Sequence, residues 1–340
     1  MEKEDLLQLL EQGGFPGRSG PVQMVETHIS WVLLTPDFAF KFKKPVDLGF
    51  LDFSSLEKRR YYCEEELRLN QRLAPGMYLA VLPLLKSGNI LSLGTANGGT
   101  VIDYAVQMRR MKEEYQLDGL LQQGMVPLDD LRLLAAQLAT FHLSNRLLHL
   151  EQVQPDQIRE DFDDLFRFES QLLACLGEEA VQQLHRIRAA LPVFFEHHGQ
   201  RFLQRAEAGF WVEGHGDLHS RNIFLLPGEP IVFDCIEFSP VFRKLDVLSE
   251  LAFLCMDLDF QGRGDLSSFF LEAYQQYWVV MPMAEDNILF QFFKAYRANV
   301  RLKVVLLQWG SNPSSAFKEQ AERYFRLILE EMPDHIGAVD

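Results

Sequence analysis

Residues 213–238 read E-G-H-G-D-L-H-S-R-N-I-F-L-L-P-G-E-P-I-V-F-D-C-I-E-F. Two short runs rich in β-branched and aromatic residues, Ile223–Leu226 and Ile231–Phe233, flank Pro227-Gly228-Glu229-Pro230, a pattern that predicts a hairpin. Polar groups stand outside both strands: His215, Asp217, His219 and Asn222 before, Asp234 and Glu237 after. A hairpin returns the chain to where it started, so Asp217, Asn222 and Asp234 are expected to converge. Two carboxylates and an amide together suit phosphoryl transfer. One carboxylate orients the attacking hydroxyl, and the other oxygens hold Mg²⁺ on the phosphates.

The spacing is more specific than the chemistry. His215, Asp217, Leu218 and Asn222 fit H-x-D-L-x-x-x-N, the catalytic-loop pattern of kinases, and Asp234 ends an apolar strand where the Asp of D-F-G would stand. A Gly-rich polar loop with a buried Asp is the plain alternative, and it accounts for none of the spacing.

A chain of 340 residues is long for one core, and its 47% hydrophobic content is that of a globular protein, so two lobes are expected. A net charge of −15 argues against nucleic acid as the main partner. It would suit a cationic ligand, although a solvated acidic surface is the commoner explanation of such a balance. The four cysteines are dispersed, without a C-x-x-C pair, so neither zinc nor a disulfide framework is indicated. The charged start, Met1-Glu2-Lys3-Glu4-Asp5, does not read as a secretory signal and no apolar run reaches membrane length, so the expected location is cytoplasmic.

In chain order, a helix is expected over Lys3–Gln12, stopped by Gly13 and Gly14. Strands follow at Val22–Val25, Trp31–Leu34 and Phe38–Phe42, an antiparallel meander. The loop 26–30 would then cover nucleotide phosphates with backbone N–H groups and with Thr27 or Ser30, although it lacks the glycines of a kinase loop. Lys41 alternates away from Phe38, Phe40 and Phe42, and Lys43 shares its face. A buried lysine needs an anionic partner; solvated edge lysines are the alternative. A helix is read over Ser54–Leu73, with Ser54 and Glu57 spaced as a capping box. Glu66 falls within its apolar stripe and is the expected lysine partner.

Strands are read at Val81–Leu85, Ile90–Leu93 and Thr100–Met108, with a turn-rich loop over 94–99. Arg109-Arg110-Met111 would form the inter-lobe hinge, and backbone groups from Met108 to Met111 would hydrogen-bond a nucleobase. Helices dominate beyond Leu117: 129–147, where His142 is read as a packed histidine, then 155–176, and 178–208 interrupted near Pro192. The second is rich in acid: Glu160, Asp161, Asp163, Asp164 and Glu169. Asp246 is read either as a brace for the catalytic loop or as a helix N-cap.

The strings H-G-D-L-H-S-R-N-I-F-L, I-V-F-D and L-D-V-L-S-E-L-A resemble the aminoglycoside phosphotransferase family of small-molecule kinases. T-H-I-S-W-V-L-L-T-P-D-F-A-F-K-F-K-K-P-V-D-L-G-F-L-D-F-S-S-L-E-K-R and E-E-E-L-R-L-N-Q-R-L-A-P resemble a poorly characterised bacterial branch of it, some members of which carry a C-terminal P-loop ATP-binding domain. This chain has no G-x-x-x-x-G-K-[ST], so a functional link to a separate P-loop ATPase is the corresponding expectation. The resemblance, over roughly 22–260, implies Lys41 on the phosphates with Glu66 as partner, Asp217 as base, and Asn222 and Asp234 on magnesium. It also favours 26–30 as the phosphate cover. After Asp234 the family usually has a small residue, whereas this chain has Cys235, Ile236 and Glu237, which leaves the role of Glu237 open.

The expectation is therefore an α+β, two-lobed protein-kinase-like fold. Residues 1–20 form a helix and linker, 21–108 a small antiparallel β lobe that binds nucleotide, and 109–340 a large helical lobe for catalysis and acceptor. ATP or GTP with Mg²⁺ would phosphorylate a hydroxyl of a small, optionally cationic molecule, His215 positioning the loop. The competing readings are a nucleotide-binding regulatory module without turnover, a metallohydrolase using His215, Asp217 and His219, and a protein kinase. The last lacks a recognisable activation segment and A-P-E.

Overall fold

The computed structural model describes residues 1–16, 20–49, 51–94, 98–148 and 155–332. Phe50 of the resemblance motif, and part of the loop expected over 94–99, lie outside the described residues.

The chain runs α1 (Lys3–Gln12), β1 (Gln23–Glu26), β2 (Ser30–Leu34), β3 (Phe38–Lys43), α2 (Leu56–Asn70), β4 (Tyr78–Ser87), β5 (Ile90–Leu93) and β6 (Thr100–Arg109). It continues α3 (Leu117–Gln123), α4 (Leu128–Ser144), α5 (Pro155–Asp163), α6 (Glu169–Leu176), α7 (Glu178–Glu207), β7 (Trp211–Glu213), β8 (Ile223–Leu226) and β9 (Glu229–Val232). The last elements are α8 (Pro240–Arg243), β10 (Lys244–Asp246), α9 (Val247–Phe260), α10 (Gly264–Gln275), α11 (Glu285–Ser311) and α12 (Ser315–Glu331). Packing divides them into two units: residues 1–120 with 221–242, and residues 121–220 with 243–340.

In the first unit, β1 to β6 form one antiparallel sheet in the order β1-β2-β3-β6-β4-β5. Alternation along β3 decides what each face holds. Phe40 and Phe42 join Trp31, Leu33 and Leu84 on one face, where α1 buries Leu6 and Leu9. Residues 1–16 are thus part of this core, whereas the sequence suggested a segment outside the lobe. Ala39 and Val106 face the other way, with Cys63 of α2 and with Phe224 and Ile231 of the β8–β9 hairpin. The hairpin, which sequence placed in the helical lobe, packs with the sheet because its apolar side chains complete this second core.

One local expectation shifts. Ser55, rather than Ser54, caps α2 by accepting the Lys58 N–H at 3.2 Å, because the Ser54 hydroxyl is bonded to Asp52. The turn Thr27–Ser30 closes on itself. The Thr27 N–H reaches the Ser30 carbonyl at 2.9 Å, and the Ser30 N–H reaches the Thr27 hydroxyl at 2.9 Å.

The second unit is built of helices with the short β7–β10 pair. Here α7 runs unbroken through Pro192, against the expected interruption. Proline removes one backbone bond; Ala190, Leu191, Phe194 and Phe195 are buried around it, and their packing offsets that loss. Residues 155–176, read as one helix, form α5, a 3₁₀ turn over Asp164–Phe168, and α6. Phe162, Phe194, Phe195 and Phe202 pack against Phe292 of α11. No helix among the described residues is long and apolar enough to cross a membrane.

Candidate functional site

In the first unit, β3 presents Lys41 and Lys43 two residues apart and therefore on one face. Glu66, fully buried on α2, receives both: its carboxylate lies 2.9 Å from Lys41 Nζ and 2.7 Å from Lys43 Nζ. Lys41 also reaches Asp234 at 2.6 Å, and Lys43 also donates to Glu237. Five charges alternate in sign along Asp234, Lys41, Glu66, Lys43 and Glu237.

Burial alone would neutralise these groups. Glu66 is nevertheless held down at about 2, since Lys41 and Lys43 outweigh its desolvation. Lys41 is likewise pushed well above its ordinary value: burial opposes its charge, and Asp234 and Glu66 more than compensate. Burial raises Glu237, partly countered by Lys43.

The hairpin places Asp234. Pairing of Ile223 with Val232 is continued by the Phe233 N–H donating to the Asn222 carbonyl at 3.0 Å, so Asn222 and Asp234 stand at the open end. Asp234 has φ 63, the one non-glycine in the left-handed region among the described residues. Aspartate tolerates that region better than most residues, and its surroundings fix it there. The Asp234 N–H donates to the Tyr78 hydroxyl at 3.1 Å, and the Cys235 N–H to Asn70 Oδ1 at 2.9 Å. Asn222 is buried, while the Asp234 carboxylate is 42% exposed. A carboxylate and an amide are hard oxygen donors of the kind Mg²⁺ takes while keeping waters and phosphate oxygens. The donor set therefore fits the expected metal. Among the described residues, no cluster of three or more His, Cys, Asp or Glu side chains could hold a metal unaided.

Met108 is buried with Ala39, Val106, Phe224 and Ile231, and the partly buried Val32, Met111 and Phe233 border them. The Arg109 and Arg110 N–H groups are bonded to the Met77 and Asp37 carbonyls.

In the second unit, the loop carrying His215 and Asp217 hangs on Glu250 of α9. The buried Glu250 carboxylate accepts the His215 N–H, and accepts the Gly216 N–H at 3.1 Å. Gly214 leaves room for this closeness: a Cβ there would lie 2.8 Å from the Glu250 carboxylate, which would have to shift. Arg297 of α11 donates to the Gly216 carbonyl at 3.3 Å, and Asp257 accepts the Ser220 N–H at 2.8 Å. The Asp217 N–H in turn donates to His215 Nδ1 at 3.2 Å, so His215 shapes the loop from inside. Asp217 faces His219 Nε2 at 3.3 Å. Burial opposes its charge, but His219, Arg301 and His215 keep its carboxyl well below the usual range.

Of the two readings of Asp246, the structure bears out the helix N-cap. Asp246 does not brace the loop. It caps α9 through the Leu248 N–H at 2.8 Å and pairs with Arg205 at 2.7 and 2.8 Å. Glu250 is the brace, missed in the sequence although a carboxylate inside the apolar α9 is the same signal that singled out Glu66. His142 is packed, as read: Nδ1 lies 2.9 Å from the Tyr274 hydroxyl and Nε2 3.8 Å from Glu250.

Replacing Glu250 with Ala leaves two loop N–H groups buried without their acceptor and removes the carboxylate that faces His142. Breaking a buried charged partnership of this kind costs about 3–5 kcal/mol, to be read from denaturant unfolding. The sign with pH follows from the depressed value. Burial works against Glu250, His142 and neighbouring cations outweigh it, and the group is held at about 2. Its contribution is therefore complete above the unfolded carboxyl range near pH 4.5 and is lost as pH falls toward 2. The wild type should lose stability across that window more steeply than the Ala variant.

No family model matches the chain. Uncharacterized proteins of Mycobacterium tuberculosis (strain ATCC 25618 / H37Rv) and Mycobacterium bovis are each 33% identical to it over 298 residues, 87% of this chain. The chain spans 57% of the length of these curated relatives. Among solved structures, a choline/ethanolamine kinase family protein from Mesorhizobium loti matches with a TM-score of 0.55 at 14% identity, covering 99% of this chain and 98% of that one. Choline kinase from Cryptosporidium parvum matches at 0.54 and 11% identity, over 97% and 95% of the two chains. The GDP complex of an aminoglycoside 2'-phosphotransferase-IIIa matches at 0.50 and 14%, over 97% and 99%. The chain has the α+β, protein-kinase-like fold of the aminoglycoside phosphotransferases and choline kinases. The resemblance read in the catalytic-loop strings holds at the level of fold.

Proposed function

We propose that the protein transfers the γ-phosphoryl group of a purine nucleoside triphosphate, ATP or GTP, to a hydroxyl of a small molecule. The observation that carries this reading is the ion-pair set of Lys41 with Glu66 and Asp234 at 2.9 and 2.6 Å. It joins a strand lysine, a helix glutamate and a carboxylate at the mouth of a hairpin, three groups that phosphoryl transfer needs and that a metallohydrolase would leave idle.

Lys41 places its ammonium against the phosphate oxygens, and Glu66 keeps it charged and aimed. Asp234 and the Asn222 amide would hold the magnesium ion, which when bound neutralises charge on the phosphates. Val32, Ala39, Met108 and Met111 offer the nucleobase an apolar surface. For the phosphate cover we keep the loop 26–30 but move its contact to the tip, His28 and Ile29. The bonds that close the turn engage the Thr27 and Ser30 N–H groups and the Thr27 hydroxyl. Asp217 accepts the hydrogen bond of the acceptor hydroxyl and points its oxygen at the phosphorus. Glu250, His215 and Arg297 hold the loop that carries it. A cytoplasmic location remains part of the proposal.

The acceptor is proposed to be cationic. Asp161 and Asp163 are held above the ordinary carboxyl range, chiefly by burial, and Asp163 Oδ1 is buried with no hydrogen-bond partner among the described residues. Such an oxygen is satisfied by a donor on a ligand. Neutralising Asp161, Asp163 and Asp164 together as Asn is expected to raise KM for aminated acceptors about tenfold, roughly one charge-assisted hydrogen bond. KM for nucleotide should stay unchanged. A neutral polyol panel that outcompetes the amines would refute the cationic acceptor and leave phosphotransfer standing.

A further inference from the structure

Lys43 and Glu237 have no part in the reaction as described, yet they are among the least exposed charged side chains of the first unit. Lys43 is 1% and Glu237 5% exposed at the side chain. A buried ion pair generally costs as much as it contributes, so stability alone is a weak reason for one here. Position accounts for it better. Glu66 divides its two oxygens, Oε1 toward Lys41 and Oε2 toward Lys43. Lys43 is also fixed from outside, its ammonium 4.8 Å from the centre of the Phe53 ring. Glu237 lies three residues beyond Asp234, and the segment between them runs along α2: Cys235 is bonded to Asn70 Oδ1, and Asn70 Nδ2 to the Glu66 carbonyl at 2.9 Å.

Lys41 has a different status. It is more exposed than Lys43 (14% against 1%), and one of its two partners, Asp234, is itself 42% exposed. The group that Asp234 holds in this structure is the Lys41 ammonium. A polyphosphate with its metal offers each of them a better partner, an anion for Lys41 and a dication for Asp234. Once Lys41 lets go of Asp234, Glu66 must stay where it is, and Lys43 holds its other oxygen.

We infer that Lys43 and Glu237 are positioning residues, a permanent second lysine–glutamate pair. It fixes Glu66 and tethers the segment after Asp234, so that Lys41 alone exchanges partners when a metal–nucleotide complex binds. The inference rests on the nucleotide-dependent reading above and assigns the role of Glu237 that the sequence left open.

The test uses two variants of the full chain and measures binding rather than turnover. Lys43→Met/Glu237→Met removes both charges at similar volume. Glu237→Ala keeps Lys43 on Glu66 and cuts only the tether. Affinity for the magnesium complex of a non-hydrolysable ATP or GTP analogue, and for the same analogue in EDTA, is measured by calorimetry alongside thermal melting. In folded variants we expect the magnesium complex to bind about 10–100-fold more weakly, the range typical of lost outer-shell partners. Metal-free analogue should bind Glu237→Ala as it binds wild type, because the tether acts on Asp234. If the double variant does not fold, Glu237→Ala decides. Binding of the magnesium complex within twofold of wild type in a folded variant overturns the inference alone. A wild type that binds neither ATP nor GTP analogue overturns the functional reading and the inference with it.

Discussion

Replacing Asp217 with Asn is expected to lower phosphoryl transfer by ~10²–10⁴-fold without weakening nucleotide binding. Asn keeps the shape of the side chain and can still face His219, which lies 3.3 Å from the carboxylate. It removes the anionic oxygen that holds the acceptor hydroxyl. The loop should survive the change, because Glu250, Arg297 and Asp257 hold its backbone. Asp217 is a weak base in this setting, since burial is outweighed by His219, Arg301 and His215 and its carboxyl sits well below the usual range. That suits a loose transition state, where orienting the hydroxyl matters more than removing its proton early. A consequence follows for pH: no acid limb from Asp217 should appear in the rate near pH 4, the ordinary carboxylate range. Steady-state rates and nucleotide titrations on the Asn variant check both parts, and a wild-type rate would remove Asp217 from the mechanism.

Replacing Asp234 with Ala should weaken binding of the magnesium–nucleotide complex by about 10–100-fold, the equivalent of one hydrogen bond to a charged group. Metal-free nucleotide should lose far less, and can gain. Asp234 is bonded to Lys41 at 2.6 Å, so its removal frees that ammonium for the phosphates while Glu66 keeps it charged. The two titrations therefore move apart in the Ala variant. Equal losses in both would make Asp234 a structural residue that shapes the hairpin mouth.

The parts of the fold legible in the sequence are those governed by neighbours along the chain. Alternation in F-A-F-K-F-K gave β3 and both of its faces, and the apolar runs around Pro227-Gly228 gave the hairpin. A carboxylate within an apolar helix stripe marked Glu66, which the structure places beside Lys41. What the sequence could not supply are partners brought together only by tertiary packing. Glu250 is 35 residues from the N–H group of His215 that it accepts, and Glu237 is 194 residues from Lys43. Lys43 and Lys41 carry the same local pattern, so periodicity cannot distinguish the fixed lysine from the exchangeable one. Their difference lies in what the other elements bring to each. Pro192 failed for a similar reason, because the packing of α7 overrides a local breaker.

The central claim is transfer of a γ-phosphoryl group to a small hydroxyl acceptor. The most direct test is incubation of the full chain with γ-labelled ATP or GTP, magnesium and a pooled extract of small metabolites, followed by separation of the labelled products. The account predicts a new labelled small molecule that forms only with magnesium and is lost in the Asp217→Asn variant. Label that stays on the nucleotide, or leaves it only as inorganic phosphate, while nucleotide binding is intact, would contradict it.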